Sequence, residues 1–203
     1  GVIMNNPKTK SIIRKAIYFV LFALLLVCFI LLSNKYENNR KPVAKTFNDY
    51  YEKIETDRFE VVTGSRVKKL LTEGKNIIFI GNSKKEWSQQ YAIYLNQIIN
   101  SFDDLKVYYY DLDNDKSLLN SNYYDIIDLL DGFLVTTDSS DAGLFAPSFY
   151  IVRDGKVLYY NVETVAMKNT DSVEDYWTLE EELEFKNEIS EAISKYYLNN
   201  KKD

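Results

Sequence analysis

Residues 146–156 read Ala-Pro-Ser-Phe-Tyr-Ile-Val-Arg-Asp-Gly-Lys. Phe149-Tyr150-Ile151-Val152 is a short β-forming run, and Val157-Leu158-Tyr159-Tyr160 is a second one. The Asp154-Gly155 pair between them favours a tight turn, so an antiparallel hairpin is predicted here. Toward the N-terminus, strands alternate with helices. Asn76-Ile77-Ile78-Phe79-Ile80-Gly81 is an apolar run bounded by turn signals, as expected of a strand buried on both faces. Phe59 to Thr63 and Leu105 to Tyr110 read as two further strands. A helix opening at Gly64-Ser65 carries Val67, Leu70 and Leu71 on one side and ends at Gly74. Trp87, Tyr91, Tyr94 or Leu95, and Ile98 recur at helical spacing up to Phe102, and another helix is expected over 123–130. The last helix opens with a capping box, Thr178 and Glu181, and shows a stripe of Leu179, Leu183, Ile189, Ile193 and Tyr196 or Tyr197. The order β-α-β-α-β-α-β-β-α implies an α/β fold with a parallel core and one antiparallel pair. Residues 133–146 and 163–177 read as long loops.

Composition removes whole classes of chemistry. The 203 residues are 46% hydrophobic and 15% aromatic, enough for a real core. There is no histidine, which excludes Ser-His-Asp triads, Cys-His dyads and His-ligated metals. One cysteine excludes an intrachain disulfide, a CxxC pair and four-cysteine clusters. The seven glycines form neither GxGxxG nor GxxxxGK[ST].

Ala16 to Ser33 are eighteen residues without a charge, about 27 Å of helix. No small-residue cleavage site follows, so a retained signal anchor is predicted over 16–33, with a short basic tail over 1–15. Cys28 lies inside this run and reads as a lipid-facing residue. Lys8, Lys10, Arg14 and Lys15 precede the run; Lys35, Arg40, Lys41 and Lys45 follow it. The count is balanced, and the n-region character of the tail favours a cytoplasmic N-terminus. The expected location is therefore the cell membrane, single-pass, with the large domain outside the cytoplasm. Residues 34–57 read as tether and lead-in, and 58–203 as the folded domain. The whole chain carries a net charge of −5, and its part beyond the anchor is more acidic still, so nucleic acid is not an expected partner.

The order of elements, with Pro147 ahead of the hairpin, resembles the thioredoxin superfamily. More narrowly it resembles the membrane-anchored thioredoxin-like and bacteriocin-transport accessory proteins of Gram-positive bacteria. Asn76 to Gly81 with its helix, Val107 to Asp113, Ala146 to Lys156 and the closing helix carry the likeness. It implies a thioredoxin-like fold, a central mixed sheet flanked by helices, and a cis Ala146-Pro147 bond. The family's redox cysteines would fall on Lys85 and Ser88, and a buried acid near Phe79. Without sulfur, thiol–disulfide exchange has no attacking atom. Ser83 and Glu86 instead form a capping-box pattern for the helix start.

The resemblance implies that an extended peptide pairs beside Ala146 and Pro147, in a groove shaped by Ser83, Lys84, Lys85, Glu86, Trp87 and Ser88. The leading expectation is thus a binding module that is no enzyme and needs no cofactor. An accessory subunit of an export or envelope complex is the alternative. A non-thiol enzyme using lysine, carboxylates or calcium is a third. Asp111, Asp113 and Asp115 are the candidate calcium ligands, but Gly and Glu are missing from positions six and twelve of that loop. Their competing reading is a solvated turn.

Overall fold

Ile77, Ile78, Phe79 and Ile80 are all fully buried, and successive side chains of a strand point to opposite faces. Both faces of this strand must therefore be covered, and the rest of the architecture supplies the cover. The computed structural model describes residues 7–38, 46–116, 120–136, 142–162 and 172–199. It divides into two units, Gly1–Val43 and Ala44–Asp203.

In the second unit, strands β1 (Phe59–Val61), β2 (Lys75–Gly81), β3 (Val107–Asp111), β6 (Ser148–Arg153) and β7 (Lys156–Asn161) form one sheet in the order β1-β3-β2-β6-β7. β1, β3 and β2 run parallel; β6 and β7 are antiparallel additions. Helices α2 (Gly64–Thr72), α3 (Glu86–Asn100), α4 (Leu112–Lys116), α5 (Ser121–Leu129), α6 (Val173–Tyr176) and α7 (Leu179–Ala192) complete the chain, and a π-helix over Ile193–Leu198 continues α7. This mixed sheet flanked by helices is consistent with a thioredoxin-like fold. The hairpin is as predicted: Asp154 and Gly155 both have positive φ, 47° and 80°, which the Asp-Gly pair tolerates. Within 133–146 the short strands β4 (Val135–Thr136) and β5 (Ala142–Gly143) pair with each other. Residues 137–141 and 163–171 of the expected loops lie outside the described residues.

The sheet divides the core in two. On one face Ile77, Phe79, Val107, Tyr109, Phe149 and Ile151 meet α3 and α7 through Tyr91, Leu95, Phe185 and Ile189. On the other, Ile78, Ile80, Tyr110, Tyr150 and Val152 meet α2 and α5 through Val67, Leu70, Leu71 and Ile126.

Two expectations need correction here. The folded unit does not begin at residue 58. Phe47, Tyr51 and Ile54 are buried in the first half of the core, and the Phe47 ring stacks on Phe59 at 4.2 Å. Large aromatic area left in water would be costly, so the lead-in packs. The stripe expected on the last helix holds only in its second half: Ile189 and Ile193 are buried and Tyr196 and Tyr197 pack on the core, but Leu179 and Leu183 are exposed, and Phe185 and Ala192 face inward in their stead.

In the first unit, α1 spans Pro7–Asn38, so residues 34–38 of the expected tether are helical. Side chains 15–29 are exposed throughout. Among the described residues no helix is long and apolar enough to cross a membrane.

Phe47→Ala removes a packed ring and should cost about 3–5 kcal/mol of unfolding free energy, measured by urea titration of the full chain in detergent. Burial also pushes the phenols of Tyr51, Tyr109 and Tyr110 up, and that of Tyr150 to about 12 from an ordinary 10.0. Between the two values the unfolded chain releases a proton that the folded chain keeps, so stability falls as pH rises above about 10. The same titration repeated across that range should show the decline, with a shallower slope for Tyr150→Phe.

Candidate functional site

β2 and β6 pair with Ile80 opposite Ser148. The turn that leaves β2 at Asn82 and the segment that enters β6 at Pro147 therefore lie at one end of the sheet. Gly81 closes β2 where no side chain fits: a Cβ there would lie 2.4 Å from the Tyr51 hydroxyl and 2.9 Å from the Tyr109 ring.

The turn is built differently from the predicted capping box. α3 starts at Glu86, its N-cap is Lys85, and no side chain caps it. Asn82 organises the turn instead. Its Oδ1 accepts the Lys84 N–H at 3.1 Å, its carbonyl accepts the Lys85 N–H at 2.9 Å, and its own N–H donates to Ser88 Oγ at 2.9 Å. An asparagine side chain that bonds two residues ahead makes such a turn self-contained. The Ser83 N–H, which Glu86 would accept in a capping box, donates instead to Asp111 Oδ2 at 3.1 Å.

Asp111 corrects a second expectation. It is no solvated turn residue but is buried at the end of β3, only 2% exposed. Its carboxylate also accepts the Tyr109 hydroxyl at 2.7 Å and the Asp113 N–H at 2.9 Å. A buried carboxylate needs such donors in place of water. Asp113 pairs with Lys84, and Asp115 accepts the Tyr110 hydroxyl at 2.8 Å and the Asn120 side-chain amide. The three acids thus serve different partners. Among the described residues no group of three or more His, Cys, Asp or Glu side chains could hold a metal.

Lys85 and Ser88, where the resemblance would place cysteines, have opposite environments. Lys85 is exposed; Ser88 is fully buried, its hydroxyl engaged by Asn82. Glu86 is exposed, and Trp87 is half-buried with its ring edge-on to Tyr176 at 5.4 Å. Phe79, where a buried acid was sought, stacks on Tyr91 at 5.5 Å. Across the site, the Ala146-Pro147 bond is cis, Pro147 is buried and Ala146 half-buried. Ser148 Oγ donates to the Phe145 carbonyl at 2.8 Å. Among the described residues, the N–H and C=O of Ala146 make no hydrogen bond.

The segments 82–88 and 146–147, expected to face each other, lie at one end of the sheet; Asn82, Tyr109 and Tyr51 were not among the expected residues, and Asp111 was given another role. Asn82 had a usable signal, an asparagine directly after a strand-ending glycine.

No family model matches the chain, and no curated protein does. Among solved structures it is similar to a thioredoxin from Trypanosoma brucei brucei, with 16% identity, 54% of this chain and 85% of that chain covered, and a TM-score of 0.35. A likeness so loose transfers no residue's role.

Asp111→Ala leaves a buried phenol and two backbone N–H groups without their acceptor. It should destabilise the fold by about 2–4 kcal/mol. Hydrogen exchange should report the loss locally, with faster exchange at the Ser83 and Asp113 amides than in the parent chain.

Proposed function

We propose that the chain is a membrane-anchored thioredoxin-like module that holds an extended polypeptide beside Ala146 and performs no thiol chemistry. The observation that carries the reading is the backbone of Ala146, unpartnered among the described residues, at the rim of the site. A half-buried residue with its N–H and C=O unpaired, next to a sheet end, is what an extended segment needs in order to pair by its own main chain. The turn from Asn82 to Ser88 provides the opposite wall, with Lys85 exposed and the Trp87 ring partly open.

The absence of thiol chemistry follows from the residues present. Cys28, the sole sulfhydryl, belongs to α1, and the redox positions hold an ammonium and a hydroxyl. Ser88 has no base to activate it, and its hydroxyl already accepts a backbone proton. Lys85 is exposed, without the burial that makes a lysine nucleophilic. The anchoring part of the reading rests on the uncharged run Ala16–Ser33 and on the outward apolar side chains of α1, among them Phe19, Phe22, Leu25 and Phe29.

The test is affinity capture with the full chain in detergent, comparing parent and Ala146→Arg at matched thermal stability. A partner held through the groove should be recovered by the parent and lost by the variant. Identical recoveries would refute the groove, and measurable reduction of insulin disulfides by the parent would refute the redox-inactive reading.

A further inference from the structure

The lead-in over 46–54 belongs to no strand of the sheet. It opens with a 3-10 turn over Phe47–Asp49, closed by Thr46, whose N–H and hydroxyl both donate to Asp49 Oδ2 at 2.9 Å. Among the described residues its backbone–backbone hydrogen bonds stay inside the segment. The N–H groups of Tyr50 and Tyr51 donate to the Phe47 carbonyl, and that of Ile54 to the Tyr51 carbonyl. Its grip on the core is aromatic. Phe47, Tyr50 and Tyr51 set their rings edge-on to the Tyr109 ring, with centroids at 5.0, 5.3 and 5.3 Å.

Tyr109 carries that grip to the site. Its hydroxyl donates to Asp111 Oδ2, the same oxygen that accepts the Ser83 N–H. The Ser83 carbonyl accepts from Gln89 Nε2 at 2.5 Å, and the same nitrogen reaches the Tyr50 carbonyl at 3.4 Å. Both polar groups of the Ser83 backbone are therefore held by side chains that also engage the lead-in, or the ring it clamps. One group in this contact is mismatched. Tyr51 is fully buried with its hydroxyl against Gly81, and no hydrogen-bond partner reaches that hydroxyl. Water would supply the partner on exposure, so the mismatch weakens the docked state alone.

We propose that the lead-in is a detachable strap that regulates the groove. Docked, it holds the turn from Asn82 to Ser88 in place. Released by a local opening, it loosens the hold on Ser83 at both N–H and C=O, and that wall of the groove slackens. Coupling of this kind is reciprocal. A segment bound beside Ala146 favours the docked strap, and a pull on the chain ahead of Thr46 weakens binding. The consequence for binding rests on the groove reading above; the link between strap and turn does not.

Native-state hydrogen exchange on the full chain in detergent, with no partner present, tests that link. The Ile54 amide reports the strap, the Ser83 amide the turn, and the Ile78 amide of β2 global unfolding. Ile54 and Ser83 should share one opening of shallow urea dependence, while Ile78 follows a steep one. Tyr51→Phe keeps the ring and removes the unpartnered hydroxyl. It should slow Ile54 and Ser83 by the same factor, roughly tenfold. Slowing at Ile54 without slowing at Ser83 would overturn the proposal, as would unchanged or faster exchange at both. Failure of the Ala146→Arg capture comparison would refute the groove and leave this exchange result standing, so the two failures are distinct.

Discussion

The requirement that β2 be covered on both sides governs the second unit. Ile77 and Phe79 face one layer, Ile78 and Ile80 the other, and none tolerates water. α3 and α7 must therefore lie on one side and α2 and α5 on the other. β2 also has a neighbour on each edge, β3 parallel and β6 antiparallel. Its C-terminal end consequently opens at the level where β6 begins. The turn at Asn82 and the backbone of Ala146 meet there because of strand register, before any side chain of the site is considered.

What holds that end in shape is polar. Asp111 gathers Ser83, Tyr109 and Asp113, while Asn82 and Ser88 tie the turn to the first turn of α3. Networks of this kind are valuable only when every member is satisfied. The Tyr51 hydroxyl, lying against Gly81, is the exception, with no partner of good geometry. The turn after β2 is thus held by hydrogen bonds from two strands and a helix.

Much of this was legible in the residues. The continuous apolar run of β2, the Asp-Gly turn and the Thr178 N-cap are local signals, and local chemistry decides them. The Phe47 segment was not legible, because its burial depends on Phe59 and Tyr109, distant in sequence. Nor was the start of α3. The Ser83 and Glu86 pattern is a valid cap in isolation, but Asp111, contributed by another strand, takes the Ser83 N–H. The first two leucines of the α7 stripe, Leu179 and Leu183, misled for a related reason. Leucine at helical spacing marks an apolar face, and only packing tells whether that face meets the core or the outside.

The π-helix that continues α7 is fastened to the sheet by two cations. Lys75 of β2 donates to the Tyr197 carbonyl, and Arg153 of β6 donates to that of Tyr196. These cations satisfy carbonyls that a helix terminus would otherwise leave bare. The π-helical segment is thus latched to two adjacent strands at once, so the helical layer cannot lift from this edge of the sheet without leaving both carbonyls bare.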